Sequence, residues 1–134
     1  MNIKETVKNY FAKQTDALCV YLFGSVAAGK ENRFSDVDIA VLFDEHAPRE
    51  EYSRRVLSMM DELSGLLDKD VDIVVLNDAA SFLKFQIIKS GVRIYERPDR
   101  SGRDFESAAV IEYFEFFPMR NKLEAALING IRGT

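Results

Sequence analysis

Four residues in the stretch "FGSVAAGKENRFSDVDIAVLF", residues 23–43, have types and spacing that could do chemistry. Asp36 and Asp38 stand one residue apart at the head of an apolar run, and Gly24-Ser25 closes an earlier apolar run ten residues upstream. Alternate side chains of a strand share a face, with a rise of roughly 3.3 Å per residue. The two carboxylates would then project together, while Val37 and Ile39 point the other way. Like charges held this close repel and are costly to desolvate, so something must compensate them. A pair of divalent cations would do so, and oxygen-only ligands favour Mg²⁺ or Mn²⁺ over zinc.

Asp72 is a third candidate, because it begins another apolar run, "VDIVVL". If its strand lies beside that of Asp36 and Asp38, Asp72 faces the pair. Gly24-Ser25 suits phosphate. A glycine lets the backbone approach closely, free N–H groups and the positive end of a short helix attract the anion, and the Ser25 hydroxyl donates one more hydrogen bond. Each feature also has a plain reading. An Asp-x-Asp pair can be a strand edge, Asp72 beside Asp70 and Lys69 can be a turn, and Ser25 can be a simple helix cap. Together they describe triphosphate on the turn, metal on the acids and a nucleophile opposite the leaving group. Lys30 and Arg33, in the loop between the motifs, could add positive charge near the phosphates or be solvated loop residues.

These side chains need a scaffold. Ile3, Val7, Tyr10 and Phe11 recur at helical spacing, predicting a helix over 3–14. "ALCVYLF", 17–23, reads as a buried strand and "SVAAG" as a short helix capped by Ser25 and ended by Gly29. A strand follows at 36–43. A helix at 49–67 carries the apolar stripe Tyr52, Val56, Met59, Met60, Leu63 and Leu67, with both methionines filling the core. Strand 71–76, helix 79–89 and strand 92–96 come next. From 103 to 129 the pattern is helical again, with Pro118 breaking it. The order implies a small mixed α/β (α+β) sheet of about four strands with helices packed on it. The expected organisation is one domain over 1–134, with a core of about 1–97 and a helical segment of about 103–129.

The composition narrows the class. The chain has 134 residues, 47% of them apolar and 30% charged, which suits an ordinary globular protein. Its net charge of -4 argues against a duplex nucleic-acid binder. No apolar run approaches the ~20 residues of a membrane span, and the N-terminus carries no secretion pattern. One cysteine, Cys19, cannot form a disulfide within the chain, so a reducing, cytoplasmic setting is expected. The one histidine, His46, sits in a polar loop and reads as a surface residue.

The combination of Gly24-Ser25, ten residues, Asp36-Val37-Asp38 and a later acid, Asp72, resembles the nucleotidyltransferase superfamily that includes DNA polymerase beta. The ten-residue spacer and short chain are similar to the minimal nucleotidyltransferases, many of which are MntA-type antitoxins paired with a HEPN-domain toxin. The likeness is strong over 20–76 and extends to about 95. It implies that Gly24 and Ser25 hold the triphosphate of ATP and that Asp36 and Asp38 bind two Mg²⁺ ions. Asp72 would complete one metal site and orient or deprotonate the attacking hydroxyl.

Three functions follow. The first moves AMP from ATP onto a tyrosine of a partner HEPN toxin, silencing it. The second keeps the chemistry but uses a small hydroxyl compound such as an aminoglycoside, with a homo-oligomer completing the pocket. The third is an antitoxin that only binds and occludes its toxin. The aromatic stretch "VIEYFEFFPMR" supports the third reading, since Val110, Tyr113, Phe114 and Phe117 line one stripe that Ile111 and Phe116 widen. That stripe is either core or a partner face.

Overall fold

The computed structural model describes residues 2–30, 36–99 and 103–115. Four strands form one sheet in the order β3-β2-β1-β4. They are β1 (Ala17–Phe23), β2 (Val37–Phe43), β3 (Val71–Val75) and β4 (Val92–Glu96). β2 pairs parallel with β3, and β1 pairs antiparallel with both β2 and β4, so the sheet is mixed as expected. The helices are α1 (Ile3–Phe11), the single turn α2 (Gly24–Ala27), α3 (Tyr52–Leu67) and α4 (Ser81–Ser90). A further helix, α5, runs over 103–115.

Strand alternation sorts the core onto two faces. Val20 and Leu22 of β1 and Val37, Ile39, Val41 and Phe43 of β2 pack with Val7 and Phe11 of α1 and Met59 and Leu63 of α3. Cys19, Tyr21, Ala40 and Leu42 point the opposite way and pack with Ile87 of α4, with Phe105 of α5 against them. Central β1 is apolar on nearly every position because both its faces are covered. α5 is fastened to the second layer by polar contacts. Tyr21 Oη donates to Glu106 at 2.6 Å, Arg93 reaches the same carboxylate at 2.9 Å, and Lys84 pairs with Glu112 at 2.7 Å.

Several boundaries differ from the sequence expectation. α1 ends at Phe11 rather than residue 14, because the apolar stripe that holds it to the sheet ends there. The segment 49–51 is a 3₁₀ turn that precedes α3, following the extended Pro48. β3 stops at Val75 and passes into a 3₁₀ turn at Leu76–Asp78. Asn77 in that turn holds the end of β2, its side chain accepting from Phe43 N at 2.8 Å and donating to Phe43 O at 3.1 Å. Met59 is buried as expected, whereas Met60 is only partly covered and lines a surface groove. One turn of helix cannot aim both adjacent methionines at the sheet. The expected helix beyond 115, with Phe116, Phe117 and Pro118, lies outside the described residues.

Candidate active site

β1 delivers the chain to the site. Phe23, its last residue, pairs with Asp38 on β2, and Asp38 pairs with Asp72 on β3. Gly24, Asp38 and Asp72 therefore form a row across three neighbouring strands, with the glycine turn on one flank of Asp38 and Asp72 on the other. The condition on Asp72 is met: its strand is the neighbour of β2. Its partner is Asp38, however, and not Asp36, since the parallel register aligns Val37 with Val71. Asp36 precedes the first residue of β2 and is exposed. Val37 and Ile39 are fully buried on the opposite face, as alternation requires.

Gly24 has a sequence-imposed reason to be glycine. Its φ is +72°, in the left-handed region, and a Cβ there would collide with the Asp38 carboxylate oxygen. The turn and the acid thus touch. α2 then closes tightly: Lys30 N donates to Ser25 O at 2.9 Å and Gly29 N to Val26 O at 3.2 Å, with Gly29 left-handed at φ +71°. Gly29 ends the helix as expected, but Ser25 is not its cap. The extended residue before the helix is Phe23, and Ser25 lies within the first turn, partly buried. The reason is Gly24, whose left-handed backbone starts the turn one residue early. A single helical turn also carries little dipole, so the anion contact expected here would rest on close backbone approach and the Ser25 hydroxyl. Lys30 is exposed at the end of this turn. Arg33 lies outside the described residues.

The electrostatics show the cost of the arrangement. Burial raises the pKa of Asp38, and the fields of Asp72 and Asp36 raise it further. Among the described residues, no three His, Cys, Asp or Glu side chains converge closely enough to enclose a metal ion. The acids form an open row and not a cage. Beyond them, Asp36 and Asp72 line a groove of about 400 Å³ with Met60, Asp61 and Ser64 of α3 and with Asp70 and Val71. Sequence reasoning missed Asp61, Asp70 and Ser64, which join the site only once α3 packs beside β3.

Other candidates fall where expected. Cys19 is fully buried, and burial pushes its thiol up to about 11, so it is an inert hydrophobe. The His46 side chain is 86% exposed. The aromatic stretch divides: Tyr113 stacks on Phe85 of α4 with ring centroids 4.0 Å apart, while Ile111 and Phe114 are more than half exposed. No helix among the described residues is long and apolar enough to cross a membrane.

A mixed sheet that sets a Gly-Ser turn against an Asp-x-Asp strand is the framework of a nucleotidyltransferase. The family model described as Polymerase beta, Nucleotidyltransferase matches residues 5–100, and the chain belongs to that family. It is also similar to the protein adenylyltransferase MntA of Shewanella oneidensis (strain MR-1), at 37% identity over 76 residues, 57% of this chain and 52% of that protein. The match thus spans about half the length of that relative. Among solved structures it resembles a chain of a toxin-antitoxin with AMP-PNP, at a TM-score of 0.69 and 23% identity over 98% of this chain and 99% of that one. It resembles a chain of the toxin-antitoxin MntA-HepT at 0.64 and 20%, covering 97% of each. A third likeness, 0.62 and 21% over 96% and 98%, is to a chain of a tri-AMPylated Shewanella oneidensis HEPN toxin in complex with MNT antitoxin. At these identities the structural likeness shows the fold.

Proposed function

We propose that the chain is a metal-dependent protein adenylyltransferase that moves AMP from ATP onto a tyrosine hydroxyl of a partner HEPN toxin and so acts as its antitoxin. The observation that carries this reading is the contact between Gly24 and the Asp38 carboxylate, with Asp72 in register on the other side. It supports reading the turn as a phosphate site set against the acid Asp38. The relatives supply the acceptor class: one is called a protein adenylyltransferase, and another complex contains an AMPylated HEPN toxin. The setting is cytoplasmic, where ATP is abundant and Cys19 stays reduced.

The donor set fits Mg²⁺, two ions, or Mn²⁺. It offers carboxylate oxygens in an open row, and Mg²⁺ usually takes one or two carboxylates plus substrate phosphates. Asp36, Asp38 and Asp72 would hold the ions, which when bound neutralise the charge of the triphosphate. Gly24 lets the backbone close on the phosphates, and the Ser25 hydroxyl donates to a phosphate oxygen. Lys30, at the end of the turn, would add positive charge beside the phosphates, and Arg33 is proposed to do the same. Asp72 orients the acceptor hydroxyl and takes its proton as the oxygen bonds to the α-phosphorus. Pyrophosphate leaves from the opposite side, towards Gly24-Ser25.

One observation favours a second reading, in which the protein binds and occludes its toxin without chemistry. Ile111 at 58% and Phe114 at 56% exposure leave part of the aromatic stripe open for a partner. The test incubates the protein with Mg²⁺ and labelled ATP, with and without the product of the adjacent reading frame. Label on a tyrosine of that product is the expected result. A stable complex in which neither protein gains label would favour occlusion.

A further inference from the structure

The row across the sheet has a direction. The Gly24-Ser25 turn follows β1 on one side of Asp38, and β3 with Asp72 is on the other side, at the sheet edge. In-line transfer needs the nucleophile opposite the leaving group. With the triphosphate on the β1 side, the acceptor must arrive from the β3 side. The groove there shares Asp36 and Asp72 with the acid row and is walled by Met60, Asp61 and Ser64 of α3. Leu57, one turn earlier on the same side of α3, is 66% exposed.

We infer that this groove is the acceptor track, and that Asp61 and Asp70 select a hydroxyl-bearing segment that is cationic beside its acceptor residue. The inference rests on the nucleotidyltransferase reading above. Continuity with the acid row is the first argument, since whatever enters the groove meets Asp72. Charge is the second. None of the described lining residues is basic, and beside Asp36 and Asp72 of the reaction centre the groove carries two further carboxylates, Asp61 and Asp70. The groove also lies near the C-terminal end of α3, whose dipole end is negative. Leu57 and Met60 supply apolar contact for the remainder of the segment. β3, which lines the groove, is an edge strand of the sheet, which suits approach by a stretch of a protein.

The test uses two tyrosine peptides of equal length, one flanked by lysines and one by glutamates. Fluorescence anisotropy reads their binding to the full chain loaded with Mg²⁺ and a non-hydrolysable ATP analogue. With ATP, mass spectrometry reads transfer. The lysine peptide should bind about two- to thirtyfold more tightly and be the better acceptor, the size expected of two partly exposed ion pairs. The double variant Asp61→Asn with Asp70→Asn should lose most of that preference while still binding the ATP analogue. Binding of both peptides alike, or of neither, by protein that binds the analogue would overturn the inference. So would an unchanged preference in the double variant, and these results leave the nucleotidyltransferase reading standing. Binding of the lysine peptide with no transfer to any acceptor would overturn that reading and this inference with it.

Discussion

The two ends of β2 carry aspartates in opposite circumstances. Asp38 lies near the start, where burial, Asp72 and Asp36 all raise its pKa. Asp44 follows the last residue of β2, where the His46 backbone N–H and the Arg97 guanidinium hold its carboxyl below the usual range. Asp44 is 8% exposed, accepts from His46 N at 2.9 Å and pairs with Arg97 at 2.5 Å. Arg55 bridges Asp16 at 2.6 Å and Gln14 at 2.9 Å on the neighbouring loop. At one end, the chain supplies its own counter-charges. At the other it sets Asp38 against a glycine with Asp36 and Asp72 nearby, and the described contacts include no basic partner for Asp38. Folding alone does not favour that second arrangement, and the proposed role of these acids in holding a ligand accounts for the difference.

The largest expected effect comes from removing the uncompensated charge. Asp36→Asn with Asp38→Asn should lower AMP transfer by at least about a thousandfold, since the charge of the triphosphate then goes unbalanced. Circular dichroism should show an unchanged fold. A variant that transfers at the wild-type rate, or that unfolds, would erase the contrast between the two ends.

Changes at the turn should rank next. Gly24→Val meets both an unfavourable φ and the Asp38 carboxylate, and should cost more than a hundredfold in transfer. Ser25→Ala deletes one hydrogen bond to a charged group, for a loss of about ten- to a hundredfold. Steady-state kinetics in ATP would check both, and unchanged kinetics in Ser25→Ala would remove that hydroxyl from the site.

The smallest effect is on stability, and it should have opposite signs at the two ends. A raised folded pKa at Asp38 means that the native chain holds a proton the unfolded chain releases. Stability therefore falls as pH rises from about 3.9 through the folded value. Asp38→Asn should raise Tm slightly at neutral pH, with the gain fading in acid. At Asp44 the folded pKa is lowered, so its contribution is present above about 3.9 and is lost as pH falls through the folded value. Asp44→Asn should lower Tm at neutral pH, with the loss fading in acid. Thermal melts across pH 3–7 would show both, and like signs would contradict the comparison.

The first of these ends was far more legible in the sequence than the second. Gly24, Asp36 and Asp38 fall within fifteen residues, and alternation fixes their faces locally. The limits of β1 and β4 were readable for the same reason, since apolar runs ended by glycine or proline mark them. Register was not readable: Asp72 could be placed beside the pair, but its alignment with Asp38 depends on how β3 docks. The Arg97–Asp44 pair joins residues from separate elements with no pattern between them. Asp61 and Asp70 look like ordinary surface charges until α3 and β3 form one wall. Ser25 was misread as a cap because cap preference describes an average helix, and here a left-handed glycine starts the turn.

Turnover tests the central claim most directly. A small fraction of the protein, with ATP and Mg²⁺, is mixed with a large excess of the HEPN toxin proposed as its partner, and the toxin is then separated, weighed by intact-mass spectrometry and assayed. The account predicts that nearly all of the toxin gains AMP on tyrosine and stays inactive, and that a folded Asp36→Asn, Asp38→Asn, Asp72→Asn variant binds the toxin without protecting against it. Equimolar protection by that triple variant, with the toxin's mass unchanged, would contradict it.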